Sequence, residues 1–323
     1  MPPTFAYPVR LSERDRWILS QRPERSALDP RRPYAFLVEE EYAANREIVP
    51  VATVFLTNRE CPWHCLMCDL WRNTLTETVP AGAIPEQIDY ALARLAPARQ
   101  IKLYNSGSFF DHRAIPVEDY FAIAQRVRDF ERTIVEAHPA LIGDLCLRFR
   151  DVLSNPLEVA MGLETVHPEI LERLNKRMTL DQFSAAAEFL RGNGIDLRVF
   201  ILVQPPFMPP SEAPEWTQRS LDFAFGCGAT AATLIPTRGG NGAMEELARH
   251  GEFTPPRLEI VEAAEEYGLG LKRGRVFVDL WDLAARPDAC PSCWARRGAR
   301  LRAMNLTQSI VPRVTCHICE GRS

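Results

Sequence analysis

Three cysteines within eight residues are the most chemically informative feature of the sequence. Cys61, Cys65 and Cys68 follow the spacing C-x3-C-x2-C, which puts three thiols on one short loop. Thiolates are the usual ligands of iron–sulfur clusters, and a cubane [4Fe–4S] cluster needs four ligands. Three cysteines therefore predict a cluster with one open iron, which can bind and activate a small molecule.

Two other interpretations of these cysteines fit less well. A structural zinc ion takes four ligands in a closed tetrahedral site, and His64 lies between the cysteines, where its ring could hardly converge on the same metal. A disulfide framework is typical of small secreted domains, whereas this chain has 323 residues and nine cysteines, an odd count. We expect Met67, just before the third cysteine, to pack as an apolar side chain.

A second cysteine set, later in the sequence, is complete in itself. Two C-x2-C pairs are separated by 22 residues: Cys290, Cys293, Cys316 and Cys319. Four thiolates at this spacing indicate a metal site. Zinc is the favoured ion, and an auxiliary iron–sulfur cluster stays open as the alternative because it would use the same ligands.

Strand and helix patterns alternate along most of the chain. Buried strands are predicted over residues 50–57, 100–105, 132–137, 157–163, 197–203 and 229–235, with helices between them. Such alternation indicates an α/β fold with a parallel sheet. Six units are fewer than the eight of a closed barrel.

The flanking segments differ from this repeating pattern and predict three regions. Residues 1–46 are polar and arginine-rich, with helical stretches at 12–21 and 39–45, and are taken as an N-terminal helical extension. Residues 47–280 form the repeating domain. Residues 281–323 form a small cysteine-rich, metal-binding module.

Unusual residues fall where the predicted strands end, which is where parallel barrels place their chemistry. Besides the cysteine loop, these strand ends carry Asn105, Ser106, Gly107, Ser108, Glu136 and Glu164. A buried carboxylate needs a partner, so each glutamate could alternatively form a structural ion pair with an arginine. His138 and His167 are expected to cap or pack rather than to catalyse.

The cysteine spacing, followed by this strand–helix pattern, resembles the radical S-adenosylmethionine (radical SAM) enzymes. The resemblance implies a partial (β/α)6 TIM-type barrel and an open iron that chelates SAM. One electron, from a donor such as flavodoxin or ferredoxin, then cleaves SAM to methionine and a 5′-deoxyadenosyl radical that abstracts hydrogen from a substrate. It also implies that Asn105–Ser108, Glu136 and Glu164 contact SAM. No catalytic hydrogen relay can be picked from the sequence.

Further motifs are similar to one subgroup of that family. They are Arg32-Pro-Tyr, Ser106-Gly-Ser-Phe, Glu136-Ala-His-Pro, Gly162-Leu-Glu-Thr, Val203-Gln-Pro-Pro-Phe and Leu306-Thr-Gln. The subgroup contains the radical SAM subunit of archaeosine synthase and is related to the Elongator catalytic subunit. The resemblance implies C–N bond cleavage in a lysine-modified deazaguanine of tRNA, and a partner subunit. Methyl or sulfur transfer to a small molecule is the alternative reaction, and a zinc-stabilised nucleic-acid-binding protein on a degenerate barrel is the alternative class.

Charge and hydropathy limit the remaining possibilities. The formal net charge is −4, but residues 286–323 carry seven arginines and two acidic residues, a basic segment that would suit nucleic acid. Arg238 and the glycines at 239–242 are expected to suit an anionic substrate group. No apolar run of membrane-spanning length and no signal peptide are recognisable, so a cytoplasmic protein is expected.

Overall fold

The computed structural model describes residues 6–281 and 290–320, and within them one sheet organises the chain. Its order follows the sequence, from β1 to β8. Strand β1 is antiparallel to β2, and all later neighbours are parallel. The strands are β1 Ala35–Tyr42, β2 Ile48–Phe55, β3 Gln100–Tyr104, β4 Arg132–Ala137, β5 Leu157–Glu164, β6 Asp196–Val203, β7 Ala231–Pro236 and β8 Arg275–Val278. The predicted α/β fold with a parallel sheet is confirmed.

Helices follow most of the strands. They are α1 Leu11–Gln21, α2 Ala83–Leu92, α3 Tyr120–Val127, α4 Asp144–Val152, α5 Pro168–Arg173, α6 Leu180–Gly192, α7 Ala213–Gly226, α8 Ala243–Arg249, α9 Leu258–Leu271, α10 Trp294–Thr307 and α11 His317–Glu320. Several of them, such as α6, α7 and α9, pack on the sheet. Alternate strand residues such as Val54, Leu103 and Val159 are fully buried in one apolar core against these helices. From β2 onwards the main chain thus repeats strand and helix, so that the C-terminal ends of the parallel strands point to the same rim.

The sheet is curled, so that distant strands meet across its interior. Arg198 on β6 donates to Glu41 on β1 at 2.5 Å, and Lys102 on β3 donates to the same carboxylate at 2.5 Å. Arg198 also donates to Glu158 on β5 at 2.7 Å. Helix α10 touches both β1 and β8, the two edges of the sheet. The architecture is a half-barrel with a buried ionic network at the N-terminal ends of its parallel strands.

One predicted helix is wrong. Residues 39–45 were expected to be helical, but residues up to Tyr42 belong to strand β1. Glutamates favour helices when exposed; here Glu39 and Glu41 alternate towards the interior, where Lys102 is their partner. Burial of the Glu41–Lys102 ion pair overrides the local helix propensity, although the Glu39 side chain stays half-exposed.

Strand β8 makes seven parallel strands instead of the six that the sequence predicts. It has four residues, all buried. A four-residue segment is too short to show a recognisable period. Among the described residues, no helix is long and apolar enough to cross a membrane.

Candidate iron–sulfur and metal centres

The cysteine loop leaves the C-terminal end of β2 and is held there by the side chain of Gln87 on α2. The Thr57 N–H donates to Gln87 Oε1 at 2.8 Å, and Gln87 Nε2 donates to the Thr57 carbonyl at 2.7 Å. A carboxamide offers the same donor and acceptor as a peptide group. The Gln87 side chain therefore holds Thr57, at the start of the loop, by the same pair of hydrogen bonds that a neighbouring strand would make.

The segment after α5 clamps the loop from the opposite side. The Leu66 N–H donates to the Leu174 carbonyl at 2.9 Å, and Asn175 Nδ2 donates to the His64 carbonyl at 2.8 Å. Asn175 adopts φ 56°, a left-handed conformation that costs free energy for residues other than glycine. This clamp fixes the middle of the loop, between the first and third cysteines.

A third support comes from the loop after β7. Asn241, which is buried, donates from Nδ2 to the Leu66 carbonyl at 2.7 Å and to the Cys68 carbonyl at 3.2 Å. Its Oδ1 accepts from the Met244 N–H at 2.9 Å. Met67 packs in the adjoining apolar cluster with Phe207, as expected for its thioether.

His138 packs against the cysteine loop as a neutral ring. It stacks on Trp63 with ring centroids 3.8 Å apart. Its Nδ1 accepts from the Ala140 N–H, so its Nε2 carries the proton and donates to the Lys176 carbonyl at 3.0 Å. Burial lowers the pKa of His138 to about 3. The capping and packing role is confirmed, and His167 likewise caps α5 by accepting from the Ile170 N–H.

The three thiols of the loop lie close enough to influence one another electrostatically, and their side chains are half-buried. Burial raises the pKa of Cys61 to about 12, and the nearby Cys65 raises it further. Burial also raises the pKa values of Cys65 and Cys68, and Cys65 adds to the rise at Cys68. Thiolates at this place therefore need a positive charge beside them, which bound iron provides.

The Asn105–Ser108 segment lies directly against this loop. A Cβ built on Gly107 would be 3.2 Å from the Cys61 Cβ, so a larger residue would crowd the first cysteine. Glu136 holds the segment, because its Oε1 accepts from the Asn105 N–H at 2.6 Å and the Gly107 N–H at 3.4 Å. Burial raises the pKa of Glu136 to about 7, against the lowering effect of these hydrogen bonds.

Several polar side-chain atoms at this rim are buried without a partner among the described residues. Both polar atoms of the Asn105 side chain and the Ser108 hydroxyl are in this state. Ser106 differs, since its hydroxyl lies 3.0 Å from the Tyr34 hydroxyl. An unpaired buried polar group costs about 1–3 kcal/mol. Such a concentration next to Cys61 is what a polar ligand site requires.

Glu164 forms an ion pair that the sequence only raised as an alternative. Lys176 Nζ donates to Glu164 Oε1 at 2.7 Å, and both side chains are largely buried. A Cβ on Gly162 would lie 2.2 Å from that carboxylate oxygen and 2.6 Å from Nζ, so a larger residue there would displace this ion pair. Lys176 also acts to lower the pKa of Cys65. Sequence reasoning missed Lys176, although it is one of only three lysines in the chain.

Aromatic side chains line the upper interior of the half-barrel. Tyr104 on β3 and Phe200 on β6 meet across it with ring centroids 6.3 Å apart, and Phe55 lies 6.3 Å from Tyr104. All three remain partly exposed although they face the interior. The mouth of the barrel is therefore open to a ligand and has an aromatic wall.

The glycine loop at 239–242 does not form the expected anion site. The Gly240 and Gly242 N–H groups both donate to the Glu245 carboxylate, so these amides already have an anionic partner. Arg238 lies between two other carboxylates, 3.3 Å from Asp279 and 3.9 Å from Asp69. The donors predicted for a substrate anion are used within the protein.

The second cysteine set converges on one point. The four sulfur atoms all lie within 4.8 Å of one another. Cys290 and Cys316 are 3.8 Å apart between sulfurs, and Cys293 and Cys319 are 3.6 Å apart. Each C-x2-C pair is tightened by a backbone hydrogen bond from its second cysteine to its first. This geometry confirms a possible metal site.

The basic segment around these cysteines is largely neutralised by α9, which corrects the expectation of a nucleic-acid surface. Arg297 pairs with Glu262, and Arg300 and Arg313 both pair with Glu266, each with a contact of 2.5–2.6 Å. Arg286 and Arg322, which the sequence argument also counted, lie outside the described residues. The arginines dock the module onto the barrel.

Curated proteins similar to this chain come from archaea. Archaeosine synthase subunit beta of Methanosarcina acetivorans is 27% identical over 80% of this chain and 79% of its own length. An uncharacterised protein of Methanocaldococcus jannaschii is 25% identical over 75% of this chain and 71% of its own length. No protein-family model matches.

Among solved structures, the archaeal Elp3 of Methanocaldococcus infernus has a TM-score of 0.46. It is 16% identical and covers 61% of this chain and 50% of its own. The similarity to archaeosine synthase subunit beta that the motifs indicate is confirmed by the relative of that name. The name of this relative describes a subunit of an enzyme, in agreement with the enzyme predicted from the cysteine motif.

Proposed function

We propose that this protein is a radical SAM enzyme whose Cys61, Cys65 and Cys68 hold a [4Fe–4S] cluster with one open iron. The observation that carries the proposal is the contact between two features. Three half-buried thiols lie on one loop at the end of β2, and Gly107 packs against Cys61. Gly107 belongs to the Asn105–Ser108 segment, in which both side-chain polar atoms of Asn105 are unpaired among the described residues. When bound, the cluster and SAM supply a 5′-deoxyadenosyl radical, as the resemblance implies.

The residues around the cluster have separable roles in this proposal. Asn105 and Ser108 offer unpaired polar atoms to SAM, and Ser106 and Gly107 bring the main chain close to it. Glu136 positions that segment by accepting its amide hydrogens. Glu164 and Lys176 form a fixed ion pair beside Cys65, so Glu164 contacts SAM only with a carboxylate already shared with Lys176.

For the substrate, the similarity to archaeosine synthase subunit beta supports a lysine-modified deazaguanine in tRNA, with C–N bond cleavage as the reaction. The partly exposed aromatic wall of the barrel mouth suits a planar ring, which can stack on it. The word subunit in the relative's name supports a partner subunit for this chain also, and a flavodoxin or ferredoxin would supply the electron.

Anaerobic reconstitution tests the cluster. We expect about four irons per chain, formation of 5′-deoxyadenosine from SAM with a reductant, and loss of both in the variant with Cys61, Cys65 and Cys68 all changed to alanine. Cys227→Ala is the matched control, because Cys227 belongs to neither cysteine set. Wild-type protein that takes up no iron would refute the proposal, and 5′-deoxyadenosine formation that does not respond to modified tRNA would refute only the substrate.

We further propose that the second cysteine set binds one zinc ion rather than another cluster. Four Zn–S bonds of about 2.3 Å in a tetrahedron place the sulfurs about 3.8 Å apart. The separations of 3.8 Å and 3.6 Å match that value. A cubane instead spreads its four cysteines over four irons. The same metal analysis should find one zinc per chain that persists in the triple cysteine variant.

A further inference from the structure

We propose that the ion at Cys290, Cys293, Cys316 and Cys319 is what fastens helix α10 over the open edge of the half-barrel. The inference rests on the zinc site proposed above and concerns its purpose. It joins two features that lie apart in the structure: the metal-binding cysteines at one end of α10, and the outer hydrogen-bonding edge of β8, which the other end of the helix covers.

Helix α10 takes the place of a further strand next to β8. Asn305 Oδ1 accepts from the Val278 N–H at 2.8 Å, and Asn305 Nδ2 donates to the Val278 carbonyl at 2.9 Å. Gln308 makes the same pair of bonds with Val276, at 2.7 Å and 2.8 Å. Two carboxamides thus satisfy four main-chain groups that an edge strand would otherwise leave open for another chain.

The same helix also reaches the other edge of the sheet, because it touches β1 as well as β8. Leu301 and Met304 are fully buried in the main core. Helix α10 therefore occupies the gap between the first and last strands, and its position determines whether the curled sheet is closed along that side.

The cysteines bracket this helix. Cys293 is the residue before the first turn of α10, and the Cys290 carbonyl accepts from the Trp294 N–H at 2.9 Å. After Gln308 the chain turns back along the helix, where the Val311 carbonyl accepts from Arg300 at 2.7 Å. This return brings Cys316 and Cys319 to the first pair. An ion shared by both pairs closes a loop that contains the whole helix.

Closing that loop removes conformational freedom that α10 would regain without the ion. The ion pairs to α9 are buried at Arg297 and Glu262 but partly exposed at Arg313 and Glu259, and they hold only one side of the helix. We therefore infer that loss of the ion releases α10 and uncovers Val276 and Val278, while the strands in the middle of the sheet keep their pairing.

Hydrogen–deuterium exchange of the full chain under reducing conditions tests this inference. The variant is Cys293→Ser/Cys319→Ser. Serine is a favourable residue at position 293, which precedes the first turn of α10. The matched control is Cys227→Ser. We expect the variant to lack zinc and its β8 amides to exchange at least about tenfold faster, with β4 unchanged. A second variant, Asn305→Leu/Gln308→Leu, should keep its zinc and still exchange faster at β8.

Three results would overturn the inference, and they are distinguishable. Protected β8 amides in the zinc-free variant would show that α10 stays in place without the ion. This result would not affect the proposal that the wild-type cysteines bind zinc. Equal acceleration in β4 and β8 would show that the ion supports the whole fold rather than this edge. Iron instead of zinc at these cysteines would remove the single-ion site on which the inference rests.

Discussion

Asn105 is fully buried, and no described residue pairs with its side-chain amide. We expect Asn105→Leu, which has a similar shape, to leave the free energy of unfolding unchanged or to raise it, because no hydrogen bond is lost. Binding of SAM to the reconstituted protein should weaken by about tenfold or more, the value of one to two lost hydrogen bonds. Urea denaturation and equilibrium binding measure the two effects separately.

Asn175→Leu is the control for that prediction, since Asn175 is equally buried but its Nδ2 donates to Asp15 and to the His64 carbonyl. This variant should lose about 1–3 kcal/mol of stability. If Asn105→Leu destabilises the protein as much as Asn175→Leu does, the Asn105 amide has a structural role and not a ligand-binding one.

Lys176 and Glu164 are a buried ion pair at the rim, and each depends on the other. Lys176→Met leaves the Glu164 carboxylate buried without its cation, so we expect a loss of about 3–5 kcal/mol. The double variant Lys176→Met/Glu164→Gln should recover most of that loss, because no unpaired charge remains. Urea denaturation of the wild type, the single variants Lys176→Met and Glu164→Gln, and the double variant gives the coupling free energy.

The exposed Lys272 provides the matched control, and Lys272→Met should change stability by less than about 0.5 kcal/mol. Additive effects of the two substitutions at the rim would contradict the coupling. The ion pair would then be a consequence of proximity that contributes nothing to the stability of the clamp on the cysteine loop.

At the scale of elements, α9 contains a buried glutamate that should make stability depend on pH. Glu265 is fully buried with neither carboxylate oxygen paired among the described residues, and burial raises its pKa from 4.5 to about 9. Arg300 opposes this rise, and the like charges of Glu262 and Glu266 add to it. Between these two pKa values the folded state holds one proton more than the unfolded state, so stability falls as pH rises.

Glu265→Gln removes this titration while keeping the shape of the side chain. The wild-type protein should lose stability relative to the variant between about pH 6 and pH 8, by at most about 1.4 kcal/mol per pH unit. Urea denaturation at both pH values measures the difference. A difference that stays constant with pH would show that Glu265 is ionised in the folded protein.

The helices of this protein also serve as sources of side-chain amides for the sheet. Gln87 on α2 pairs with the main chain after β2, while Asn305 on α10 and Gln308, the residue that ends α10, pair with β8. In both places the carboxamide continues a hydrogen-bonding ladder where a strand is missing. These contacts position the cysteine loop and the last strand, which are the two ends of the parallel part of the sheet.

For the whole molecule, the sequence predicts what depends on local pattern. Six parallel strands and the convergence of Cys290, Cys293, Cys316 and Cys319 follow from periodicity and spacing. Lys176 and Asn241 were missed because their roles depend on residues that are distant in sequence. The residues next to them in sequence form no motif that would predict these contacts. The strand at Glu39–Glu41 was predicted as a helix for the same reason, since its partner Lys102 is sixty residues away in sequence.

Helix α10, which lies near one end of the described chain, contacts β1 near the other end. Within the sheet, by contrast, each strand lies beside the strand that follows it in sequence. During synthesis on the ribosome the strands can therefore pair one by one as they emerge. The side that α10 covers must wait until that late helix has been made, so a nascent or truncated chain lacking it carries an uncovered β8. Such a chain is the form of this protein most prone to self-association, and the form that a chaperone would have most reason to hold.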